Sequence, residues 1–467
     1  MTFVLMLCST VIFAAILAHK FLVKLGIPAL LFFLCLGMLF GVDGVFKIDY
    51  SDFSTTKDFA SIALGFIIFY GGFCTKWKTA TSIIKESVVL STLGVLLTAL
   101  FLTLCCHFFL SLGYAESFLI GAVLSSTDAA SIFSIVREKH LNLKNNTAQL
   151  LEIESGSNDP MSYALTVLAI AILKGQSVGF VSILFFKQIF LGVLTGVIIA
   201  KFAVFVFNKT KLITSGNGSL FLTALVFLTF ALPETYDGNQ FLALYFLGII
   251  IGNSTIGNKS VMLNFYDGIT KLAQIGIFFI LGLLATPVKV LDIIFTGGVI
   301  FLLLTFLVRP LMVWFVLFGF RPSKSQIILI SWAGLRGVAS VVFAIIAMDS
   351  GVKLDYDLFH LVFLVSIFSV AFQGTLLPYV AQKTGMVDST GDIREIFNDF
   401  EEECAIKFLS VTIPPEHEWI GKTIQDINSP KMALALTINR KGKEILPNNC
   451  TKIMAGDRIT FTLPSEY

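Results

Sequence analysis

The sequence contains little charge for its length. Only 14% of its 467 residues are Asp, Glu, Lys or Arg, whereas 56% are hydrophobic and the mean hydropathy is +0.86. Soluble globular domains carry about 25% charge and have shorter apolar runs. The formal net charge of +2 is too small to favour a nucleic acid or an acidic protein as partner. These proportions predict an all-α polytopic membrane protein in a lipid bilayer.

Cysteine and histidine are also sparse. The seven cysteines include no CxxC pair, and the five histidines show no metal-ligand spacing, so neither a disulfide framework, a resident metal nor another cofactor is expected. The apolar N-terminus, residues 2–18, lacks a preceding basic region and a small-residue cleavage site. It is therefore interpreted as a first membrane span and not as a signal peptide.

Thirteen apolar runs are long enough, or nearly long enough, to cross a bilayer as helices. They are residues 2–19, 27–41, 58–74, 86–111, 114–136, 147–173, 180–207, 217–233, 239–253, 268–286, 290–319, 325–348 and 357–382. The loops that follow odd-numbered runs, together with Lys271 near the start of the tenth run, hold fourteen Lys and Arg, against five in the other loops. By the positive-inside rule, we expect an external N-terminus and a cytoplasmic C-terminus in a bacterial inner membrane.

The sixth run contains three carboxylates, Glu152, Glu154 and Asp159, followed by Pro160. An ionisable group at bilayer depth costs about 2.5 to 3.5 kcal/mol on insertion scales, so each is expected to pair, face water or bind a ligand. At 100° per residue, Ser155 lies about 40° from Asp159, whereas Glu154 lies about 140° away. Ser155, Asn158 and Asp159 are therefore expected to face one cavity, with oxygen ligands that suit a hard monovalent cation.

Two other runs are interrupted at their middle by polar residues and glycine. The interruptions are residues 125–131 in the fifth run and residues 331–340 in the twelfth. Interrupted spans in corresponding halves are typical of a transporter's binding site, and an offset of seven runs predicts two inverted repeats. Asp128, in the first interruption, is interpreted either as an ion ligand or as a helix-end cap.

Glu154 needs a cationic partner because it points away from the cavity. Arg336, flanked by glycines in the twelfth run, is the predicted partner, in a structural ion pair that does not touch the ion. Arg309, followed by Pro310 in the eleventh run, is interpreted either as part of a second intramembrane ion pair or as a cation near the end of a kinked helix.

The composition changes after the last apolar run. We expect a membrane domain over residues 1–383, a polar linker over 384–403 and a small cytoplasmic α+β domain over 404–467. In this last domain the pattern predicts strands at 408–413, 433–439, 444–446 and 458–463, and a short helix at 419–427. Such a module either binds a regulatory ligand, which the sequence does not identify, or forms a passive cap.

At these residues the sequence resembles the cation:proton antiporter-1 family, in particular its bacterial NhaP/CvrA-type potassium/proton or sodium/proton antiporters. The stretches that carry the resemblance are ESGSNDP at 154–160, SSTDAAS at 125–131 and SWAGLRGVAS at 331–340. They follow the family's order and spacing. The C-terminal domain is similar to a TrkA-C (RCK-C) regulatory domain.

The resemblance implies that Asp159 takes either a cation or a proton, with Asn158, Ser155 and the Thr127 backbone nearby. It also implies that Glu154 and Arg336 form the family's structural ion pair, and that the protein is a homodimer. Family members usually carry an acid before a Gly-Gly pair in the third span. Here Tyr70 takes that position, which makes it a candidate third-span contact with a hydroxyl and no charge.

The predicted function is secondary active antiport of K⁺ or Na⁺ against protons, which requires no enzymatic chemistry. A single carboxylate, Asp159, cannot hold a cation and a proton at once, and an asparagine beside it predicts electroneutral one-to-one exchange. The alternatives are a cation channel, for which no TVGYG-like filter is present, and a pH-sensing membrane protein that acts through its cytoplasmic domain.

Overall fold

The computed structural model describes most of the chain. The longest described segments are residues 29–77, 83–128, 143–209 and 217–387. Shorter described segments are residues 2, 6–7, 9–14, 17, 131–132, 135–136, 141, 395–396, 406–414, 417, 419–424, 426–427, 434–440, 443–448 and 451–464. The chain divides into two compact units, one formed by Met1–Ile256 with Asn264–Val387 and the other by Gly257–Leu263 with Asp388–Tyr467.

The first unit is helical. Its helices are α1 (Ala29–Phe40), α2 (Phe53–Cys74), α3 (Ile84–Leu110), α4 (Tyr114–Val123), α5 (Thr147–Leu173), α6 (Val178–Lys209), α7 (Gly218–Glu234), α8 (Gln240–Gly252), α9 (Lys259–Leu284), α10 (Pro287–Asp292), α11 (Ile294–Phe320), α12 (Lys324–Trp332), α13 (Val338–Asp349) and α14 (Leu358–Lys383). Within the described residues, six helices are long and apolar enough to cross a membrane and five more are shorter and apolar. The polytopic fold is confirmed, whereas the number thirteen stays a prediction.

The predicted discontinuous helices are present. Helix α4 ends at Val123, and the following residues 124–128 are not helical before helix resumes at 131–132. Residues 333–337 likewise separate α12 from α13. By contrast, α5 continues through Pro160, whose carbonyl oxygen accepts a hydrogen bond from Asn239 Nδ2 at 2.6 Å.

The apolar surface is distributed as the bilayer requires. Helix α6 is the least buried of the long apolar helices, with 28% of its most apolar window inside the molecule, and several of its phenylalanines are exposed. The largest core cluster instead joins residues of α2, α4, α8, α9, α13 and α14. The polar interruptions therefore lie within the bundle and away from its apolar outer face.

The second unit contains a five-stranded antiparallel sheet with strand order β1-β2-β5-β3-β4. Its strands are β1 (Glu395–Ile396), β2 (Ile406–Thr412), β3 (Leu434–Arg440), β4 (Lys443–Ile445) and β5 (Arg458–Pro464). The four predicted strands are confirmed in their described residues, and β3 and β4 pair as neighbours. The helix predicted over 419–427 is wrong for its described residues, which form turns tied by an isolated bridge between Thr423 and Lys452. Residues 425 and 428–433 lie outside the described part.

Candidate functional site

The two interrupted helices meet each other through their backbones. Asp128 N donates to Leu335 O at 2.8 Å, and Arg336 N donates to the Ser369 hydroxyl of α14 at 2.8 Å. Because neither interruption is helical, its main-chain groups are free to bond across to another element. The interruptions therefore form one crossing inside the bundle.

Two glycines, Gly334 and Gly337, leave room for neighbouring side chains at this crossing. A Cβ atom at Gly337 would collide with the Asp128 carboxylate, and one at Gly334 would lie 2.6 Å from Arg309 Nε. Both contacts are too short for any larger residue without a shift of the neighbour. The glycines that mark the second interruption in the sequence are thus required by packing.

Asp159 lies beside this crossing, on α5. Its side chain accepts a hydrogen bond from the Ser126 hydroxyl, and the residue is only 8% exposed. It borders a cavity of about 50 Å³, which is room for a small number of water molecules or a partly hydrated ion. The cavity is lined by Leu64, Ile67, Ile68, Gly71, Ser126, Asp128, Ser155, Gly156, Asp159, Gln274, Phe278, Gly337, Val338 and Ala339.

Helix α13 begins at the cavity wall. Val338 and Ala339, the first two residues of α13, both line the cavity. The first N–H groups of a helix have no intrahelical acceptor, and the macrodipole places partial positive charge at that end. Two carboxylates, those of Asp128 and Asp159, border the same space. This end of α13 therefore favours negative charge in the cavity.

Asn158 braces the first interruption instead of facing the cavity. Its Oδ1 accepts from Thr127 N at 3.3 Å, and its Nδ2 donates to the Thr127 hydroxyl. That hydroxyl also lies 2.9 Å from Ser155 Oγ. Neither Asn158 nor Thr127 is among the cavity-lining residues, whereas Ser155 is. The predicted set of Asn158, Thr127 and Ser155 is thus brought together, but only Ser155 reaches the cavity.

Asp128 makes the contacts of a helix-end cap and also borders the cavity, while its role as an ion ligand stays a prediction. One carboxylate oxygen accepts from Ser131 N at 3.3 Å and the other from the Ser131 hydroxyl at 2.5 Å, an arrangement of the kind seen at helix starts. The same side chain lines the cavity. Ser126, by comparison, was not singled out from sequence as the partner of Asp159, although it lies in the same interruption.

Glu154 is paired, but with a different arginine from the one predicted. Arg309 Nη2 lies 2.8 Å from Glu154 Oε1 and 3.0 Å from Oε2, and both side chains are almost completely buried. The predicted Glu154–Arg336 pairing is therefore wrong in its partner. The physical reason is that Gly334 leaves open space in which Arg309 of α11 lies.

Arg336 instead binds the main chain of the first interruption, just beyond the end of α4. Its Nη1 donates to the carbonyl oxygens of Ser125, at 2.9 Å, and Ser126, at 2.5 Å. The last carbonyls of a helix lack intrahelical donors and carry the negative end of the macrodipole. A buried guanidinium at this place compensates that partial charge and fixes Ser126, the hydroxyl partner of Asp159.

Tyr70 does not line the cavity. Its hydroxyl donates to Asp267 Oδ1 of α9 at 3.2 Å, while its neighbour Gly71 forms part of the wall. The side of the cavity opposite the crossing is formed instead by Gln274 and Phe278 of α9. The sequence signal for Gln274 was a polar residue three positions after Lys271 in a mainly apolar run, and it was not singled out.

The cavity carries hard oxygen ligands and no resident metal site. Its polar side chains are two carboxylates, two hydroxyls and one amide, contributed by Asp128, Asp159, Ser126, Ser155 and Gln274. Within the described part of the chain, no group of three or more His, Cys, Asp and Glu side chains is arranged to hold a metal ion. Oxygen ligands of this kind suit a proton or a weakly held alkali cation.

Known proteins match this chain in fold and in sequence. The family model for the transmembrane part of sodium/hydrogen exchangers matches residues 9–383, and that for the TrkA-C domain matches residues 408–467. The sodium proton antiporter MjNhaP1 of Methanocaldococcus jannaschii has a similar structure, with a TM-score of 0.70 at 21% identity. That match covers 82% of this chain and 98% of the other.

Other relatives are more alike in sequence. The chain is 33% identical to the K⁺/H⁺ antiporter NhaP of Alkalimonas amylolytica, over 91% of this chain and 74% of the relative. It is also 33% identical to the K⁺/H⁺ antiporter NhaP2 of Shewanella sp. strain ANA-3, over 93% and 76%. Identity to the Na⁺/H⁺ antiporter NhaH of Halobacillus dabanensis is 27%, over 65% and 77%. On its fold, its crossing of interrupted helices and these matches, the chain belongs to the sodium/hydrogen exchanger family of multi-pass membrane proteins.

Proposed function

We propose that this protein is a secondary antiporter that exchanges a monovalent cation, K⁺ or Na⁺, for a proton by competition at Asp159. The observation that carries the proposal is the placement of this carboxylate, almost fully buried and bordering a small cavity at the crossing of two interrupted helices. The names of the relatives, which include K⁺/H⁺ and Na⁺/H⁺ antiporters, support the same activity.

Competition between the cation and the proton follows from the negative charge of the Asp159 carboxylate. A bare carboxylate in a buried site is costly, and either a proton or a cation removes that cost. The Ser126 hydroxyl and the start of α13 supply polar partners for the ionised form of Asp159. Because one ligand excludes the other, the loaded protein crosses between its two states with either a cation or a proton. The empty, charged site crosses poorly.

Asn158 supports a stoichiometry of one proton for one monovalent cation. It occupies the position next to Asp159 and contributes no charge, and its amide is engaged by Thr127. Asp128 is engaged by Ser131, so Asp159 is the carboxylate proposed to exchange its ligand. Electroneutral exchange is insensitive to membrane potential, which distinguishes it from channel current.

We also propose a domain division, a membrane orientation and an oligomeric state for this chain. Residues 1–383 form the exchanger, 384–403 a linker and 404–467 a regulatory TrkA-C-like domain. The excess of Lys and Arg in alternate loops supports an external N-terminus and a cytoplasmic C-terminal domain in the bacterial inner membrane. A homodimer is proposed from the resemblance alone.

The test is cation-driven proton flux in everted membrane vesicles. Asp159→Asn keeps the shape of the side chain but removes the group that exchanges its ligand, and is expected to abolish flux with Na⁺, K⁺, Rb⁺ and Li⁺ across a pH series. Dequenching of a pH-sensitive dye measures the rate. Comparison among the four cations identifies the transported one.

Asp292→Asn is the matched control, because Asp292 is an exposed acid at the end of α10 and does not line the cavity. It is expected to leave the flux unchanged. Cation-dependent flux that persists in folded Asp159→Asn protein would overturn the assignment, and uncoupled current in the wild type would favour a channel.

A further inference from the structure

One face of α9 leads from the cavity toward the start of that helix. Asp267, Lys271, Gln274 and Phe278 are spaced by four, three and four residues, so they fall within an arc of about 60°. Gln274 and Phe278 line the cavity. At about 1.5 Å per residue, Asp267 lies roughly 10 Å from Gln274 along the helix. A polar face thus continues beyond the cavity wall.

Asp267 is the centre of a small cluster on this face. Its Oδ1 accepts from the Tyr70 hydroxyl at 3.2 Å, and its Oδ2 lies 2.6 Å from Lys271 Nζ. The Asp267 side chain is 33% exposed and that of Lys271 is 68% exposed. Tyr70 precedes the cavity-lining Gly71 on α2. The cluster therefore lies on the same two helices as the lining residues Gly71 and Gln274, outside the cavity itself, and is open to solvent.

We propose that Tyr70, Asp267 and Lys271 form an entry site that attracts the transported monovalent cation before it reaches Asp159. Asp267 supplies the charge, and Tyr70 orients it and offers its phenolic oxygen as a second ligand. Lys271 is a tethered competing cation that occupies the carboxylate when no ion is present. This inference rests on the proposed antiport and extends it to a second site.

The weak bond between Asp267 and Lys271 allows a solution cation to displace the Lys271 ammonium group. An exposed Lys–Asp pair at i and i+4 is only weakly stabilising and is screened by salt, so a solution cation can compete with the ammonium group. A carboxylate on a helix face that leads to a cavity with low-dielectric walls raises the local concentration of cations. Tyr70 adds a bond that limits the rotamers of Asp267. The entry site is thus occupied briefly and released readily.

The first test measures the apparent KM for K⁺ and for Na⁺ in everted vesicles. Asp267→Asn is expected to raise KM about two- to fivefold with Vmax unchanged, the range for loss of one exposed charge interaction. Lys271→Gln is expected to lower KM by about twofold, because the competitor is removed. An unchanged or increased KM in Lys271→Gln would overturn the proposal.

The matched control is another exposed Lys–Asp pair. Lys187 Nζ lies 3.1 Å from Asp237 Oδ2, with side chains 47% and 64% exposed, and neither residue lines the cavity. Asp237→Asn and Lys187→Gln are expected to leave KM unchanged. An equal shift in these variants would show that the change in KM does not depend on the α9 cluster and would refute the entry site.

A second readout does not depend on exchange. Purified Asp159→Asn protein is heated in K⁺ or Na⁺ and, for comparison, in choline at equal ionic strength. A cation that binds the folded state raises the melting temperature. The entry site predicts that a cation-specific increase remains in Asp159→Asn and disappears in the Asp159→Asn/Asp267→Asn double variant. An increase that survives in the double variant, or is absent from both, would contradict it whether or not the protein is an antiporter.

Discussion

Gly337 is the residue at which the two interruptions approach each other most closely. The absence of a side chain there leaves space for the Asp128 carboxylate, which in turn borders the cavity with Asp159. Gly337 has a φ of −147°, which lies outside the left-handed region that favours glycine. The requirement is volume, and it links a backbone position to the geometry of the ion site.

Gly337→Ala is therefore expected to be destabilising by about 1 to 3 kcal/mol, the usual cost of overpacking, and to reduce exchange in the protein that folds. Gly298→Ala in α11 is the control, because its nearest contact would be Phe368 at an ordinary 3.9 Å. Melting temperature and proton flux are measured for both. Equal behaviour of the two variants would contradict the packing argument.

At the scale of elements, buried arginines tie the helices around the site. Arg309 joins α11 to Glu154 of α5, while Arg336 joins the start of α13 to the end of α4. A buried ion pair adds little net stability compared with apolar residues, but loss of one partner leaves a charge without compensation. These contacts of Arg309 and Arg336 therefore act mainly by fixing which helices lie against each other.

Glu154→Gln should accordingly lower the free energy of unfolding by about 3 to 5 kcal/mol, since the Arg309 charge stays buried. The Glu154→Gln/Arg309→Met double variant should recover part of that loss, because it removes both charges and retains apolar volume. Thermal unfolding in detergent measures both. Recovery with Arg336→Met in place of Arg309→Met would instead support the pairing expected from sequence.

At the scale of the whole molecule, the second unit contains an ion pair of its own, between the buried Asp457 and Arg440. Asp457 is fully buried and accepts from Arg440 Nε at 2.8 Å, Arg440 Nη2 at 2.6 Å and Met454 N at 2.8 Å. Burial by itself would raise the pKa of Asp457, but the bonds from Arg440 and Met454 outweigh it and hold that pKa below its ordinary value. This contact joins β3 to the turn before β5.

The sign of the pH dependence follows from the lowered pKa. A carboxyl with a lower pKa in the folded state stabilises that state above its unfolded pKa, and the contribution is lost as pH falls through the folded value. We expect local stability of residues 434–464 to be constant above about pH 4 and to fall below it. Hydrogen exchange of the full-length protein measures this change. Asp457→Asn should remove the pH dependence, whereas Asp426→Asn, at an exposed turn, should retain it.

Some features could be predicted from composition and periodicity because they depend on local chemistry. Polar residues and glycine within apolar runs predicted interruptions at 125–131 and 331–340, which the structure has at 124–128 and 333–337. Helical spacing placed Glu154 away from Asp159. Alternation and turn residues likewise predicted most of the sheet at 406–464. Burial in a bilayer makes each such departure from apolar character costly, so the sequence by itself determined where the polar site lies along the chain.

The partners of those residues were decided only by tertiary structure. Helical periodicity gives the direction of a side chain from its own axis, but not which neighbouring helix lies there or at what depth. For this reason Glu154 was predicted to pair with Arg336 and is instead bonded to Arg309. Tyr70, similarly, faces Asp267, and Gln274 completes the cavity wall. The packing of α9 and α11 against the interrupted helices settles these contacts, because it is set by volumes and close approach across the bundle.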